Sequence, residues 1–425
     1  MYLSFILVNY RFVDKKNLLC YVGIDNRRRF LDMTKFDKEY LELAKRILKD
    51  GVEVENRTGI NTIKVPSHFF EFDLNGEFPI LQSKQVFIRQ AVTEMLWIWQ
   101  MQSNNVEELN KRNIKIWDKW KVDKDGIYRI YEPEVPGVEY KYEPDKEVVV
   151  IDPLSVPIHD PLGHSHSFKP KYDEFGKEMM AKSNIIGLTI KAAKYYGKEY
   201  ADTIGTGYGF LTNLFQMTQD MQDIGRNHRT ERKGVYSLWQ NPYLRTAVLP
   251  SCVWSLEFDV TDDKLNFMVH QRSCDLPLGL PFNITQYAAF LKMMAQTTGL
   301  EPGKLSYSIK DAHIYVNQID GMKEQIGRWD RYEQMKKWSI AKIIERQVYL
   351  DNFLKNNREF LNEDEVRDID SELRTIDIIL NPSTPELWLN PEVKDFFDFD
   401  NSLEFKDCKI KKYKHMGKLD FPLAQ

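Results

Sequence analysis

Cys252 lies in the run Leu249-Pro250-Ser251-Cys252-Val253-Trp254, followed by Gln271-Arg272-Ser273-Cys274-Asp275 and then by Leu278-Gly279-Leu280-Pro281-Phe282-Asn283. One segment thus joins a thiol, a guanidinium, a carboxylate and a carboxamide. A sulfur nucleophile needs nearby positive charge to favour its thiolate. A flat polar substrate needs a partner that donates and accepts together, which Asn does. The set suits covalent chemistry on a pyrimidine nucleotide. A lone Cys is more often a small buried hydrophobe; Cys274 fits that role better, which leaves Cys252 as the nucleophile.

The elements that must position these groups are legible in the pattern. Val253 to Val260 alternates, Thr261-Asp262-Asp263-Lys264 is a turn and Leu265 to Val269 returns, so Cys252 and Arg272 should share the open end of a hairpin. Gln286 to Thr298 reads as a helix ended by Gly299, with Asn283 and Thr285 as cap candidates. Met33-Thr34-Lys35-Phe36-Asp37 opens another helix with Thr34 and Asp37 as a capping box, and Tyr40, Leu43, Ala44, Ile47 and Leu48 form its apolar stripe up to Gly51. A strand is expected over His68 to Leu74, with Phe70, Phe72 and Leu74 on one face. Val86 to Met101 is apolar almost all round and predicts a buried helix with Glu94 inside it. A carboxylate there is either a satisfied structural group or a general acid/base whose pKa burial raises.

The order and spacing of Leu-Pro-x-Cys, Gln-Arg-Ser-x-Asp, Leu-Gly-x-Pro-Phe-Asn and Asp311-Ala312-His313-Ile314-Tyr315 resemble the thymidylate synthase family. So do Glu94-Met95-Leu96-Trp97 and Ile116-Trp117-Asp118-Lys119-Trp120. The resemblance spans Asp37 to about Trp120, Tyr208-Gly209, Arg232 to about Gly327, and Pro385 onward. It implies an α+β fold in which a large mixed sheet packs with helices. It also implies transfer of a one-carbon unit from 5,10-methylenetetrahydrofolate to C5 of dUMP. Cys252 would add to C6 of the ring, while Glu94 and Tyr208 manage protons. Arg57, Arg272 and Ser273 would hold the phosphate, and His313 and Tyr315 the sugar hydroxyl. Asn283 would read the uracil edge; relatives acting on dCMP carry Asp there. Trp117, Trp120, Asp275, Gly279 and Leu280 would line the folate site. A homodimer is implied, with Arg232 and Lys233 at positions that reach a phosphate across the interface.

Departures from the family pattern bear on closure. Lys233 replaces an Arg and offers a point charge in place of a rigid fork. Gln82-Ser83-Lys84-Gln85 stands where Thr-Thr-Lys and a base are usual, Phe210-Leu211-Thr212 displaces a Gln, and Gln425 stands where an apolar residue is usual. Val253 replaces a His but is also familiar in one branch of true synthases. A wetter site lets water capture the one-carbon unit. The sequence therefore favours a 5-hydroxymethyl-dUMP product, with a thymidylate synthase making dTMP and dihydrofolate as the alternative. An inactive nucleotide-binding scaffold is the rival from another class, and joint retention of Cys252, Glu94, Tyr208, Arg272, Asp275 and Asn283 argues against it.

Composition sets the remaining bounds. The 425 residues carry a formal charge of -4, which gives no general footprint for nucleic acid. Four cysteines without metal-pair spacing suit reduced thiols in a cytoplasm. No apolar run approaches the roughly 20 residues that cross a bilayer. Residues 1–32 read as an extension, with Met33 as an alternative start, and 33–425 as one catalytic domain. Insertions are expected at about 122–206 and 329–380. The first begins Pro-rich, Tyr-rich and acidic and turns helical near Ser183 to Tyr200. Its run Ile158-His159-Asp160-Pro161-Leu162-Gly163-His164-Ser165-His166 has metal-ligand types but the Pro and Gly of a solvated loop, so no metal is expected. The second reads as a charged helical pair with Trp338, Ile340, Ile343, Ile344 and Val348 as apolar contacts.

Overall fold

The computed structural model describes residues 33–56, 58–133, 147–151, 158–159, 166–167, 171–172, 177–182 and 188–423. The extension 1–32, Arg57, Asp160, His164 and Gln425 lie outside the described residues. The chain runs α1 (Lys35–Asp50), β1 (Val52–Val54), β2 (Thr62–Asp73) and α2 (Ile88–Trp99). After the first insertion come β3 (Val235–Ser237), β4 (Val253–Thr261), β5 (Lys264–Gln271), β6 (Cys274–Asp275), α3 (Gly279–Thr298), β7 (Glu301–Tyr315) and α4 (Ile319–Met335). The main sheet has the order β1-β2-β7-β5-β4-β3, with β6 against β7. It is mixed, since β5 and β6 run parallel to β7 and its other pairings are antiparallel. The expected class is the observed one, an α+β fold built on a large mixed sheet packed by helices.

Burial alternation explains the layers. Along β5 every second residue is buried, and Phe267 meets Phe290 of α3 at 5.5 Å between ring centroids. Phe70 and Phe72 of β2 take Phe36 of α1 edge-on, as the sequence pattern requires. Period-2 strands bury one face against helices. The opposite face stays accessible, with Phe69 and Trp254 among its exposed hydrophobic residues. β2 starts earlier than the sequence suggests because residues 62 to 65 pair with the end of β7. Pro66 cannot donate to the ladder, and the pairing skips it where Asp311 of β7 turns to φ 56°.

Helix α3 begins at Gly279, not at Gln286, so Asn283 is the fifth residue of the helix and caps nothing. Its low polarity buries it almost throughout, and Gly299 closes it at φ 67° as expected. Thr34 does cap α1, accepting from the Asp37 backbone at 3.1 Å. The Asp37 carboxylate instead accepts from the backbones of Gln82 and Ser83, both at 2.8 Å.

In the first insertion, Leu188–Tyr195 is a strand where helix was expected, and only Lys198–Tyr200 forms a single tight turn. Short apolar runs do not separate helix from strand by periodicity alone; pairing with Ile127–Pro133 decided this one. The histidine run is described only as the two-residue pairing of Ile158–His159 with His166–Ser167. Among the described residues no group of three or more potential ligands could hold a metal ion. The second insertion forms helices Ile340–Asn357 and Glu363–Leu380 beside α4. Ile343 and Leu350 enter its own small core, whereas Val348 is 37 % exposed and makes no core contact. Its position fell on the outer face because that helix packs on one side only. Among the described residues no helix is long and apolar enough to cross a membrane.

Candidate active site

The β4–β5 hairpin places Cys252 just before its first strand residue, with the Arg272 backbone N–H donating to the Cys252 carbonyl at 2.9 Å. The Arg272 guanidinium is spread along the preceding loop. Nε donates to the Ser251 carbonyl at 3.0 Å and Nη2 to the Pro250 carbonyl at 2.7 Å, and the group lies 5.2 Å over the Trp239 ring. Arg272 therefore fixes the loop that presents the thiol. Cys252 is partly accessible while Cys274 is fully buried, the division the sequence suggests. Burial raises the Cys274 thiol well above its ordinary value, which makes it inert.

Tyr208 approaches from the other side. Its hydroxyl accepts from the Cys252 backbone N–H at 2.8 Å, and its ring meets Trp117 edge-on at 5.5 Å. The residue holds φ 44° and ψ -104°, a sparsely populated conformation kept by its surroundings. Gly209 beside it is obligatory, because a Cβ there would stand 1.9 Å from the Ser103 carbonyl oxygen. Burial, then the neighbouring Cys252, raises the phenol well above its usual range, so it stays a proton carrier.

Glu94 projects from α2 into this cluster. Trp117 Nε1 donates to its Oε1 at 2.7 Å and Gln286 Nε2 to its Oε2 at 2.5 Å. Burial outweighs these two bonds and pushes the carboxyl up to about 7. A group poised there exchanges protons near neutrality. Gln286 also accepts from Asn283 Nδ2 at 3.3 Å, and Asn283 Oδ1 accepts from Gln271 Nε2 at 3.3 Å.

Beside Arg272, Ser273 Oγ donates to Asp311 Oδ2 at 3.3 Å, and His313 Nδ1 lies 2.8 Å from the Asp311 carbonyl. His313 and Tyr315 meet at 5.1 Å. Asp275 accepts from the Leu278 backbone at 3.1 Å and from Gln318 Nε2 at 3.1 Å; burial raises its carboxyl. Trp117 and Trp120 lie edge to face at 5.6 Å. A flat heterocycle with ring N–H groups needs an aromatic wall and an acceptor of this kind, so the residues fit a folate co-substrate. Gly279 leaves space, since an added Cβ would come only to van der Waals contact with Asn283 and Asp275. Leu280 is fully buried in the core.

Arg232 and Lys233 are not brought to this cluster by their own chain. Both are exposed before β3, and Lys233 pairs with Glu231 at 2.8 Å. Sequence reasoning overlooked Gln271, Gln286, Asp311 and Gln318 as site partners. Gln286 was findable, being one helical turn beyond Asn283. Asp311 opens a motif already singled out, but its left-handed turn carries no sequence mark.

The thymidylate synthase family model matches residues 38–425. The thymidylate synthase of Clostridium beijerinckii is 31% identical over 383 residues, covering 90% of this chain and 96% of that one. Thymidylate synthase 1 of Bacillus subtilis is 28% identical, covering 92% of this chain and all of that one. Among solved structures, thermostable thymidylate synthase A from Bacillus subtilis superposes with a TM-score of 0.56 at 26% identity, over 92% of this chain and 100% of that chain.

Proposed function

This chain belongs to the thymidylate synthase family, and from that premise we propose that it methylates dUMP to dTMP, with 5,10-methylenetetrahydrofolate as co-substrate. The observation that carries the reading is the joint placement of Tyr208 on the Cys252 backbone and of Glu94 against Trp117. Cys252 Sγ adds to C6 of the uracil, which makes C5 nucleophilic. Glu94, ionised above about 7, accepts the proton that C5 must lose, and the Tyr208 hydroxyl supports that transfer. The folate supplies both the one-carbon unit and, for a methyl product, the hydride, leaving as dihydrofolate. Arg57, Arg272 and Ser273 hold the phosphate; His313 and Tyr315 hold the sugar; Asn283 reads the base. Trp117, Trp120, Asp275 and Gly279 face the folate, with Leu280 behind them. Arg232 and Lys233 serve the partner's phosphate in a homodimer that covers the accessible sheet face. The segments 122–206 and 329–380 lie outside the chemistry.

The hydroxymethyl product expected from the sequence is the second reading, and the tail geometry and the relatives' names favour the first. Despite Gln82 and Gln85, the last described residues are fastened down. Gln318 Nε2 bonds the Pro422 carbonyl at 3.0 Å as well as Asp275, and Lys84 Nζ lies 4.7 Å over the Phe421 ring. The Arg328 guanidinium, almost fully buried, holds the Met416 carbonyl at 2.9 Å. A tail anchored in this way supports a site closed to water and with it the methyl product. Incubation with dUMP and the folate should give dTMP and dihydrofolate one for one, read by mass and by absorbance. A product that carries a hydroxyl, with tetrahydrofolate and little dihydrofolate, would establish the second reading.

The Asn283→Asp variant checks base recognition. Its carboxyl can meet the reversed donor pattern of cytosine, so the dUMP over dCMP preference in kcat/KM should fall by about 10²-fold, within the range set by buried polar mismatches. An unchanged preference would remove Asn283 from base reading.

A further inference from the structure

Asn283 is held by two side-chain amides whose orientations are fixed by different anchors. Gln271 is 3 % exposed; its Nε2 donates to the Ser273 carbonyl at 2.8 Å, an atom that can only accept, and its Oε1 receives the Tyr307 hydroxyl at 2.6 Å. Its remaining donor direction therefore meets Asn283 Oδ1. Gln286 is 4 % exposed and lies between Asn283 and Glu94. An ionised carboxylate only accepts. While Glu94 is charged, Gln286 must turn its N–H₂ toward Glu94 and its carbonyl toward Asn283 Nδ2.

A proton on Glu94 upsets that arrangement. Trp117 Nε1 can only donate, so the proton falls on the oxygen facing Gln286. Gln286 then either faces an O–H with its own N–H₂ or turns round and presents N–H₂ to the Asn283 N–H₂. The first choice leaves Gln286 on a weaker acceptor and the second breaks its bond to Asn283, so both loosen Asn283. An Asn amide turned by 180° exchanges its donor and acceptor, which is the difference between matching uracil and matching cytosine.

We propose that Gln286 is a positioning residue that ties base discrimination to the charge on Glu94, joining Gln271 in holding the Asn283 carboxamide in its uracil-matching orientation while Glu94 accepts and opposing it once Glu94 is protonated. This rests on the assignment of Asn283 to base reading made above. The titratable groups facing Glu94 from the neighbouring elements are the phenols of Tyr208, at the start of its helix, and Tyr287 of α3. Burial raises both, so neither ionises near neutral pH and the switching group is Glu94.

The test uses the full chain and calorimetric dissociation constants for dUMP and dCMP at pH 6, 7 and 8. Both nucleotides carry the same phosphate, whose titration cancels from their ratio. The dUMP preference of the unaltered protein should rise about tenfold from pH 6 to 8. Gln286→Met keeps the length and removes the amide. It should lower the preference at pH 8 by about tenfold, flatten its pH dependence and move the acid limb of kcat to higher pH, because Glu94 loses a donor that favours its charge. A merely structural role would lower kcat and the melting temperature while leaving the ratio and the limb in place, and that result would overturn the proposal. Should Gln286→Met not melt cooperatively, the unaltered protein decides alone, and a pH-independent ratio overturns the proposal. Absence of dTMP formation would remove the proposed reaction without touching the binding ratio, so the two failures are distinguishable.

Discussion

Cys252→Ala should reduce dTMP formation by about 10⁴-fold, on the order of 5 kcal/mol of barrier, while dUMP still binds within a few-fold of its usual affinity. The asymmetry follows from the site. The thiol makes the bond on which every later step depends, whereas Arg272 and Ser273 stand outside that bond and keep their places through backbone and Asp311 contacts. Cys252 is partly accessible, so the variant should melt near the unaltered protein, within about 0.5 kcal/mol. Cys274→Ala is the control with the opposite signature. Its thiol is fully buried, so stability should fall by about 1 kcal/mol with turnover nearly intact. Steady-state rates and thermal melts of both variants check the pair. Near-normal turnover by Cys252→Ala would end the covalent account.

The second large effect concerns Glu94. Its carboxyl is raised to about 7, chiefly by burial, so the base form is present above that pH and is lost as pH falls through it. The rate should therefore rise with pH through about 7. Glu94→Gln should lower kcat by about 10³-fold and abolish that limb, since the carboxyl that takes up the proton is gone. Stability runs the other way. A carboxyl whose folded pKa is raised above its unfolded value of 4.5 costs nothing at pH below that value. The cost grows as pH rises and is complete above about 7, so it weighs on the unaltered protein at pH 8 and not at pH 4. A pH–rate profile of both proteins decides the point. Persistence of the limb in Glu94→Gln would assign it to another group.

The parts of the site that sequence reading located are those where local pattern and chemistry coincide. The hairpin that brings Arg272 to Cys252 follows from alternation and an Asp-Asp turn, and both turn residues do take φ 54°. Glu94 stood out as a carboxylate in an apolar helix. The strand Leu188–Tyr195 was misread because its partner Ile127–Pro133 lies about sixty residues away, and pairing over that distance leaves no periodic trace. Asn283 was a cap candidate because the helix was expected to start only at Gln286, yet Pro281 is tolerated in a first turn and the helix starts at Gly279. Residue types at Gln82, Gln85, Lys233 and the C-terminal Gln425 suggested a loose closure. The closure runs instead through backbone atoms, with Met416 donating to the Gln82 carbonyl at 2.7 Å and Gln85 to the Gly417 carbonyl at 2.9 Å. Contacts made by the main chain survive changes of side chain, so Gln82 and Gln85 do not by themselves loosen the tail.

The central claim is that the Cys252 sulfur bonds to C6 of a uracil nucleotide, and mass analysis of a stalled adduct tests it most directly. In 5-fluoro-dUMP the C5 position carries fluorine, which no base can remove as a proton, so the reaction halts with the nucleotide still attached to sulfur. The full-length protein, incubated with 5-fluoro-dUMP and 5,10-methylenetetrahydrofolate and then denatured and digested, should yield the combined mass of the nucleotide and the methylene-bridged folate on the peptide that carries Cys252. Cys252→Ala should show none and Cys274→Ala the full amount. A nucleotide found on any other residue, or an unmodified protein that nevertheless binds both substrates, would contradict the account.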